Sequence, residues 1–218
     1  PNLLTDDPSA TIAFAYEIQK EFVKQIDEEP IGYKAAVTAE PMQKMMGIEA
    51  PISGVLFKSG DYSNRTNIKC SRELLIETEL GFETGTAITK PINPGEVYSL
   101  MECFYPMIEL ASPNLTSQPS GIDLIASNSA SFGFIKGAPL NCNAVDPDSI
   151  NVNLYHEGTH LHSNKCNTVM SGQAYALAWL INQTISLFGM VQSNCLLMSG
   201  SVGPAHPGRP GQYNADFG

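Results

Sequence analysis

Apolar residues recur along this chain at two spacings, and the changes between them mark out its elements. Ile12, Ala15, Tyr16, Gln19, Phe22, Val23 and Ile26 keep helical spacing, one residue in three or four on one side. Asp7 before Pro8 is the expected start, as N-cap and first helical position, and Pro30 is the stop. Short segments follow at Gly32–Thr38, at Pro41–Met46 (a short helix) and at Ile52–Phe57. Leu74–Leu80 alternates apolar and polar, the period of a strand. A second helix is expected from Pro94 to about Phe104, leading into Met107–Leu110.

Ile122–Ile135 is mixed and rich in Ser and Ala, closing at Gly137, and Val152–Tyr155 reads as a strand entering a turn. Gly172–Phe188 is the clearest helix, with Ala174, Leu177, Ala178, Ile181 and Ile185 on one face and Gly189 as its stop. Cys195–Met198 reads as a strand, and a Gly/Pro-rich tail follows. No internal repeat is visible. Many short strands with two or three helices predict an α+β chain dominated by β structure. The expected division is a helical segment over 1–30 and one domain over 31–218.

Composition narrows the function. With 43% hydrophobic residues in 218, the chain can bury a core and is not disordered. Its most apolar windows, Ala174–Ile181 and Asn194–Met198, fall far short of the roughly 18 residues that span a membrane. A net charge of −10 repels phosphate backbones and speaks against nucleic acid as a partner. Five cysteines (Cys70, Cys103, Cys142, Cys166, Cys195) hold no C-x-x-C pair, and their odd count leaves at least one thiol free or paired between chains. A charged fraction of 16%, low against about 25%, leans toward an exported protein. So does the start at Pro1.

The candidate chemistry begins at Glu77 and Glu79, two apart on the alternating segment and therefore on one face. Their repulsion is resolved either by solvent on an open strand face or by a hard divalent cation taking carboxylate oxygens. His156-Glu157-Gly158-Thr159-His160 matches the zinc-protease pattern H-E-x-x-H, which requires both histidines one turn apart on a helix. Gly158 and the preceding strand make a hairpin turn the better expectation. Lys34 lies in an apolar stretch, as a half-buried anion-binding group or one that snorkels to solvent. Three sequons start at Asn64, Asn114 and Asn182, the last inside an expected helix. Ser201-Val202-Gly203 has no following helix and does not support a phosphate loop.

From about Ala13 onward the chain resembles the fumarylacetoacetate hydrolase superfamily, in its branch of 2-keto-4-pentenoate hydratases and 2-oxo-3-hexenedioate decarboxylases. The carriers, in order, are Gly32-Tyr33-Lys34, Pro51-Ile52-Ser53-Gly54-Val55-Leu56-Phe57, Ile76-Glu77-Thr78-Glu79-Leu80, Ile108-Glu109-Leu110, Ala126-Ser127-Asn128-Ser129-Ala130-Ser131, Ala176–Asn182 and Leu197-Met198-Ser199-Gly200-Ser201.

The resemblance implies a rolled mixed β-sheet with helices outside and Mg²⁺ or Mn²⁺ at its mouth, held by Glu77, Glu79 and Glu109. It implies Lys34 as the active-site lysine and a small unsaturated 2-oxo acid as substrate. Ser129 or Ser131 would contact that substrate, and the chains would form a homo-oligomer. The chain departs from the family at Ile52, where an acidic residue is common, and at Ser127 and Ala130 within the Ala-Asp-Asn-Ala-Ser segment. The lead-in before Lys34 is also shorter, and Asp216-Phe217-Gly218 ends the sequence where the family adds a strand. The expected activity is that of a divalent-metal-dependent hydratase or decarboxylase. Two alternatives stand beside it: a non-catalytic, binding or self-assembling relative, and a zinc hydrolase built on His156 and His160.

Overall fold

The computed structural model describes residues 3, 7–65, 67–69, 73–113, 115, 119–142 and 144–218. Cys70 and the sequon residues Thr66, Asn114 and Thr116 lie outside them. The first helix, α1 (Ile12–Gln25), begins four residues later than Asp7-Pro8 suggested. Thr11 is its N-cap, accepting from the Phe14 N–H at 3.2 Å. Asp7 instead folds a turn ahead of the helix, its carboxylate accepting from the backbone N–H and hydroxyl of Ser9.

Strand β1 (Pro30–Ala36), the short helix α2 (Glu40–Met45) and strand β2 (Ile52–Phe57) follow. Strand β3 (Leu75–Thr84) is longer than its alternating stretch. The helix expected over Pro94–Phe104 is a correction. Only Pro94–Leu100 coils, as a 3₁₀ turn, and Met101–Ala111 is strand β4. Val97, Met101 and Phe104 fit helical spacing, yet their burial comes from two different elements.

Helix α3 (Gly121–Ala126) and strand β5 (Ser131–Lys136) divide the mixed segment. The remaining elements are β6 (Asn151–His156), β7 (Thr159–Lys165), α4 (Gln173–Phe188), β8 (Leu196–Met198), β9 (His206–Pro207) and β10 (Tyr213–Asp216). Gly189 closes α4 in the left-handed conformation, as expected of a helix-terminal glycine.

Among the described residues, one sheet runs β2-β1-β8-β3-β4-β5 with β9 paired to β3, and a second runs β10-β6-β7. The β1–β8 pairing is parallel and the others are antiparallel, so the main sheet is mixed. It is rolled, because its two edge strands meet. Asn128, in the turn before β5, accepts from the Val55 N–H of β2 at 2.7 Å and donates to the Val55 carbonyl at 3.0 Å. Its amide thus replaces the missing ladder partner of an edge strand. Asn128, Ser129 and Ala130 all have positive φ (64°, 52° and 58°). Gly54 makes the approach possible, since a Cβ there would lie 2.8 Å from the Asn128 carbonyl oxygen.

The roll has an outer and an inner face. On the outer face Ala35, Leu80, Phe82, Phe104 and Leu197 pack with Leu177, Leu180 and Ile181 of α4. Nearby, Ile76 and Leu110 pack with Leu154 of the second sheet. Helix α1 buttresses β2 and α3 through Ala15 and Tyr16, which join Ile48, Ile52, Leu124 and Ile125. Gln19, fully buried, donates to the carbonyls of Ser53 and Ile125. The inner face carries an apolar plug of Leu56, Met107, Phe134, Leu196 and Met198. Ladder register puts these five on the same side as Lys34, Glu77, Glu79 and Glu109.

Candidate metal centre

Three strands bring the charged residues together. Glu77 and Glu109 are direct partners across β3 and β4, and Glu79 follows Glu77 on the same face. Lys34 of β1 pairs with Met198 of β8, which pairs with Gly81 of β3, so its side chain emerges on that face too. One oxygen from each of Glu77, Glu79 and Glu109 lies within 4.8 Å of the others. The solvated strand face that Glu77 and Glu79 alone allowed is therefore overturned. Glu79 is 1% exposed and Glu109 2% exposed.

Lys34, also 2% exposed, donates from Nζ to Glu109 Oε1. It neither snorkels nor sits half-buried. Burial alone would lower its pKa, yet the charges of Glu109, Glu77 and Glu79 outweigh that, and the ammonium is held above its usual range. One lysine does not satisfy three carboxylates. Burial and then repulsion from Glu109 push Glu77 up to about 7, against relief from Lys34 and Ser201. The same two causes raise Glu79 well above the carboxylate range. The apolar plug beside the cluster supplies the low dielectric that makes these terms large.

The segment after β8 closes over the carboxylates. The Gly200 N–H donates to Glu79 Oε2 at 3.0 Å, and the Ser201 hydroxyl, which donates to the Gly203 carbonyl at 3.1 Å, is near enough to Glu77 to favour its charged form. Gly200 has φ +113°, and a Cβ there would lie 2.5 Å from Thr38 Cγ2. Along the sequence these residues stand out only as part of a family motif, because their approach to the carboxylates depends on the pairing of β8 with β3.

Ser129 and Ser131 stand at the seam of the roll. The Ser129 hydroxyl donates to the Ser53 carbonyl at 2.7 Å, and that of Ser131 to the Val55 carbonyl at 3.0 Å. Ile52 is buried against α1 and α3 in the apolar cluster.

The H-E-x-x-H stretch is a β6–β7 hairpin, with Glu157 and Gly158 both at positive φ in its turn. His156 pairs across from Thr159, and His160 from Tyr155, so the two rings leave opposite faces. The helical zinc geometry is absent. Asn182 of the third sequon bonds the backbone of Ile92 through both its oxygen and its nitrogen. Cys103, Cys142, Cys166 and Cys195 are free thiols. Among the described residues no helix is long and apolar enough to cross a membrane.

The donor set suits a hard cation. Three clustered carboxylates, with no imidazole or thiolate among them, are ligands of the Mg²⁺, Mn²⁺ and Ca²⁺ type. The raised proton affinity of Glu77 and Glu79 marks negative charge that a dication would offset.

No family model matches the chain. It is 26% identical to a 2-hydroxyhexa-2,4-dienoate hydratase of Comamonas testosteroni over 95% of this chain and 83% of that protein. In structure it is similar to the 4-oxalocrotonate decarboxylase of Pseudomonas putida G7, solved with magnesium and adipate. The TM-score is 0.87 at 22% identity, over 98% of this chain and 84% of that one. A fumarylacetoacetate hydrolase family protein from Yersinia pestis CO92 gives a TM-score of 0.66 at 13% identity, over 88% and 91% of the two chains. The chain thus has the fumarylacetoacetate hydrolase type of fold and is similar in sequence to the dienoate hydratases, the resemblance its motifs carried.

Proposed function

We propose that the protein is a divalent-metal-dependent lyase, a hydratase or decarboxylase acting on a small unsaturated 2-oxo acid. The observation that carries this reading is the convergence of Glu77, Glu79 and Glu109 beside a buried lysine. The similarity to a dienoate hydratase and to a decarboxylase solved with magnesium supports it.

In this reading Glu77, Glu79 and Glu109 hold Mg²⁺ or Mn²⁺, with Gly200 and Ser201 orienting two of the three carboxylates. A cation held there would supply Lewis acidity toward the oxygens of a 2-oxo acid. Lys34 contributes the positive charge that receives the substrate carboxylate, or the proton that moves as the double bonds shift. The Leu56–Met107–Phe134 plug keeps water from the buried side of the cluster, which strengthens each of these interactions. Ser129 and Ser131 act by fixing the β2 backbone opposite Lys34, at Ser53 and Val55. A homo-oligomer is part of the same reading, tested by mass in solution.

The test is Mn²⁺ titration of the purified protein, followed by loss of the conjugated absorbance of a 2-hydroxydienoate. Metal-dependent decay that disappears in Glu79→Gln is the expected result. Decay unaffected by that substitution, or no Mn²⁺ binding to the unaltered chain, would refute the assignment.

A further inference from the structure

Lys34 is placed where the cation's own charge is needed. Its Nζ donates to Glu109 Oε1 from inside the roll, and both side chains are 2% exposed. The other ion-paired lysines are committed elsewhere: Lys20 to Glu17, Lys24 to Glu21, and Lys136 to Asp61. Among the ion pairs of the described residues, Lys34 alone brings positive charge to the three carboxylates. Its backbone is fixed between β2 and β8, at Gly54 and Met198. Only its flexible four-carbon stem can move the ammonium.

Resting on the metal reading above, we infer that Lys34 is the resident counter-ion of the metal-free triad, and that it surrenders Glu109 when a divalent cation binds. A lysine held on Glu109 offers an incoming anion a charge that the carboxylate already offsets. A dication among the same carboxylates repels that ammonium at a few ångströms, in a medium that screens poorly. The charge count favours the exchange. Fully ionised, the three carboxylates with Lys34 carry −2, and a dication brings the cluster to neutrality. Lys34 then turns from internal partner to receptor for a carboxylate, so the site accepts an anionic substrate only after its metal. Lys34 is in this sense a positioning charge for the metal as well as a candidate group in the reaction.

The test measures metal binding by calorimetry, without turnover. Mn²⁺ is titrated into the unaltered protein, Lys34→Met and Lys34→Arg at one mildly alkaline pH, where protons compete less for the carboxylates than at neutrality. Lys34→Met is expected to bind Mn²⁺ about tenfold more tightly or better, and Lys34→Arg much as the unaltered chain does. Equal or weaker binding by Lys34→Met would overturn the inference while leaving the metal site intact. Absence of Mn²⁺ binding in all three proteins would overturn the metal reading together with it. Should Lys34→Met fail to fold, nitrogen-15 NMR of the unaltered chain labelled in its lysines decides. The Lys34 Nζ signal is expected to shift as Mg²⁺ saturates the site, and an unmoved signal refutes the exchange.

Discussion

Glu77 and Glu109 face each other directly across the β3–β4 ladder. Like charges opposite one another destabilise an antiparallel pair, and here both side chains point into the roll beside Met107 and Phe134. Lys34 offsets part of that repulsion through Glu109. The remainder makes the cluster a receptor for positive charge and governs how the protein responds to mutation and pH.

Glu79→Gln keeps the side-chain volume and removes one charge. Since burial and the neighbouring Glu109 charge both penalise the Glu79 carboxylate, the metal-free variant is expected to melt no lower than the unaltered chain. Its Mn²⁺ affinity is expected to fall about 100-fold, near 2.7 kcal/mol. Thermal melts in chelator and metal titration of the same samples separate the two effects.

The metal-free protein is expected to lose stability as pH rises from the ordinary carboxylate range to about 7. Glu77 titrates at about 7 in the folded chain. In that window the folded chain keeps a proton that the unfolded chain has released, so folding weakens with pH, by up to about 3 kcal/mol. Above about 7 the Glu77 contribution is spent, and the raised Glu79 carboxyl continues the same downward trend. Chemical denaturation across pH in chelator should show this slope, and Glu77→Gln should make it shallower.

Gly200→Ala combines backbone strain at φ +113° with a Cβ 2.5 Å from Thr38 Cγ2. A cost of about 1–3 kcal/mol is expected, with weaker Mn²⁺ binding because the Gly200 N–H supports Glu79. Adding Thr38→Ala should recover only the steric part, as read by denaturation midpoints.

Asn128→Ala opens the seam between β2 and β5. It removes both amide bonds to Val55 and leaves a buried N–H without its partner, at an expected cost of about 2–3 kcal/mol. Asn128→Asp still accepts but no longer donates to the Val55 carbonyl, and is expected to be destabilised as well. Hydrogen exchange at the Val55 amide should accelerate in the alanine variant.

His162 bridges the two sheets, its Nε2 3.1 Å from Thr78 Oγ1 and its Nδ1 2.9 Å from His206 Nε2. Burial, then the His206 and His160 charges, lower its pKa below 6.5. As pH falls below that value the unfolded chain gains a proton that the folded chain refuses, so stability falls. Melting points followed downward from neutral pH should drop more steeply in the unaltered protein than in His162→Gln.

Much of this was legible along the chain. Alternation over Leu74–Leu80 placed Glu77 and Glu79 on one face of a strand, and apolar spacing with Gly189 delimited α4. The Glu157-Gly158 turn dismissed the zinc helix. Such features depend on residues a few positions apart, whose relative directions the helix and strand periods dictate. Glu109 entered only through a family resemblance, because nothing near it in sequence ties it to Glu77. Their meeting depends on the β3–β4 register. The helical spacing over Pro94–Phe104 misleads because it runs across two elements that bury their residues separately.

Tertiary structure alone decided that the sheet rolls until Asn128 meets Val55 and that Glu79 on the inner face of β3 is as buried as Leu80 and Phe82 on the outer one. It also decided that Lys34 ends on Glu109. Sequence periodicity records which side chains share a face. Which faces lose water, and which distant charges share the resulting low dielectric, follows from long-range pairing.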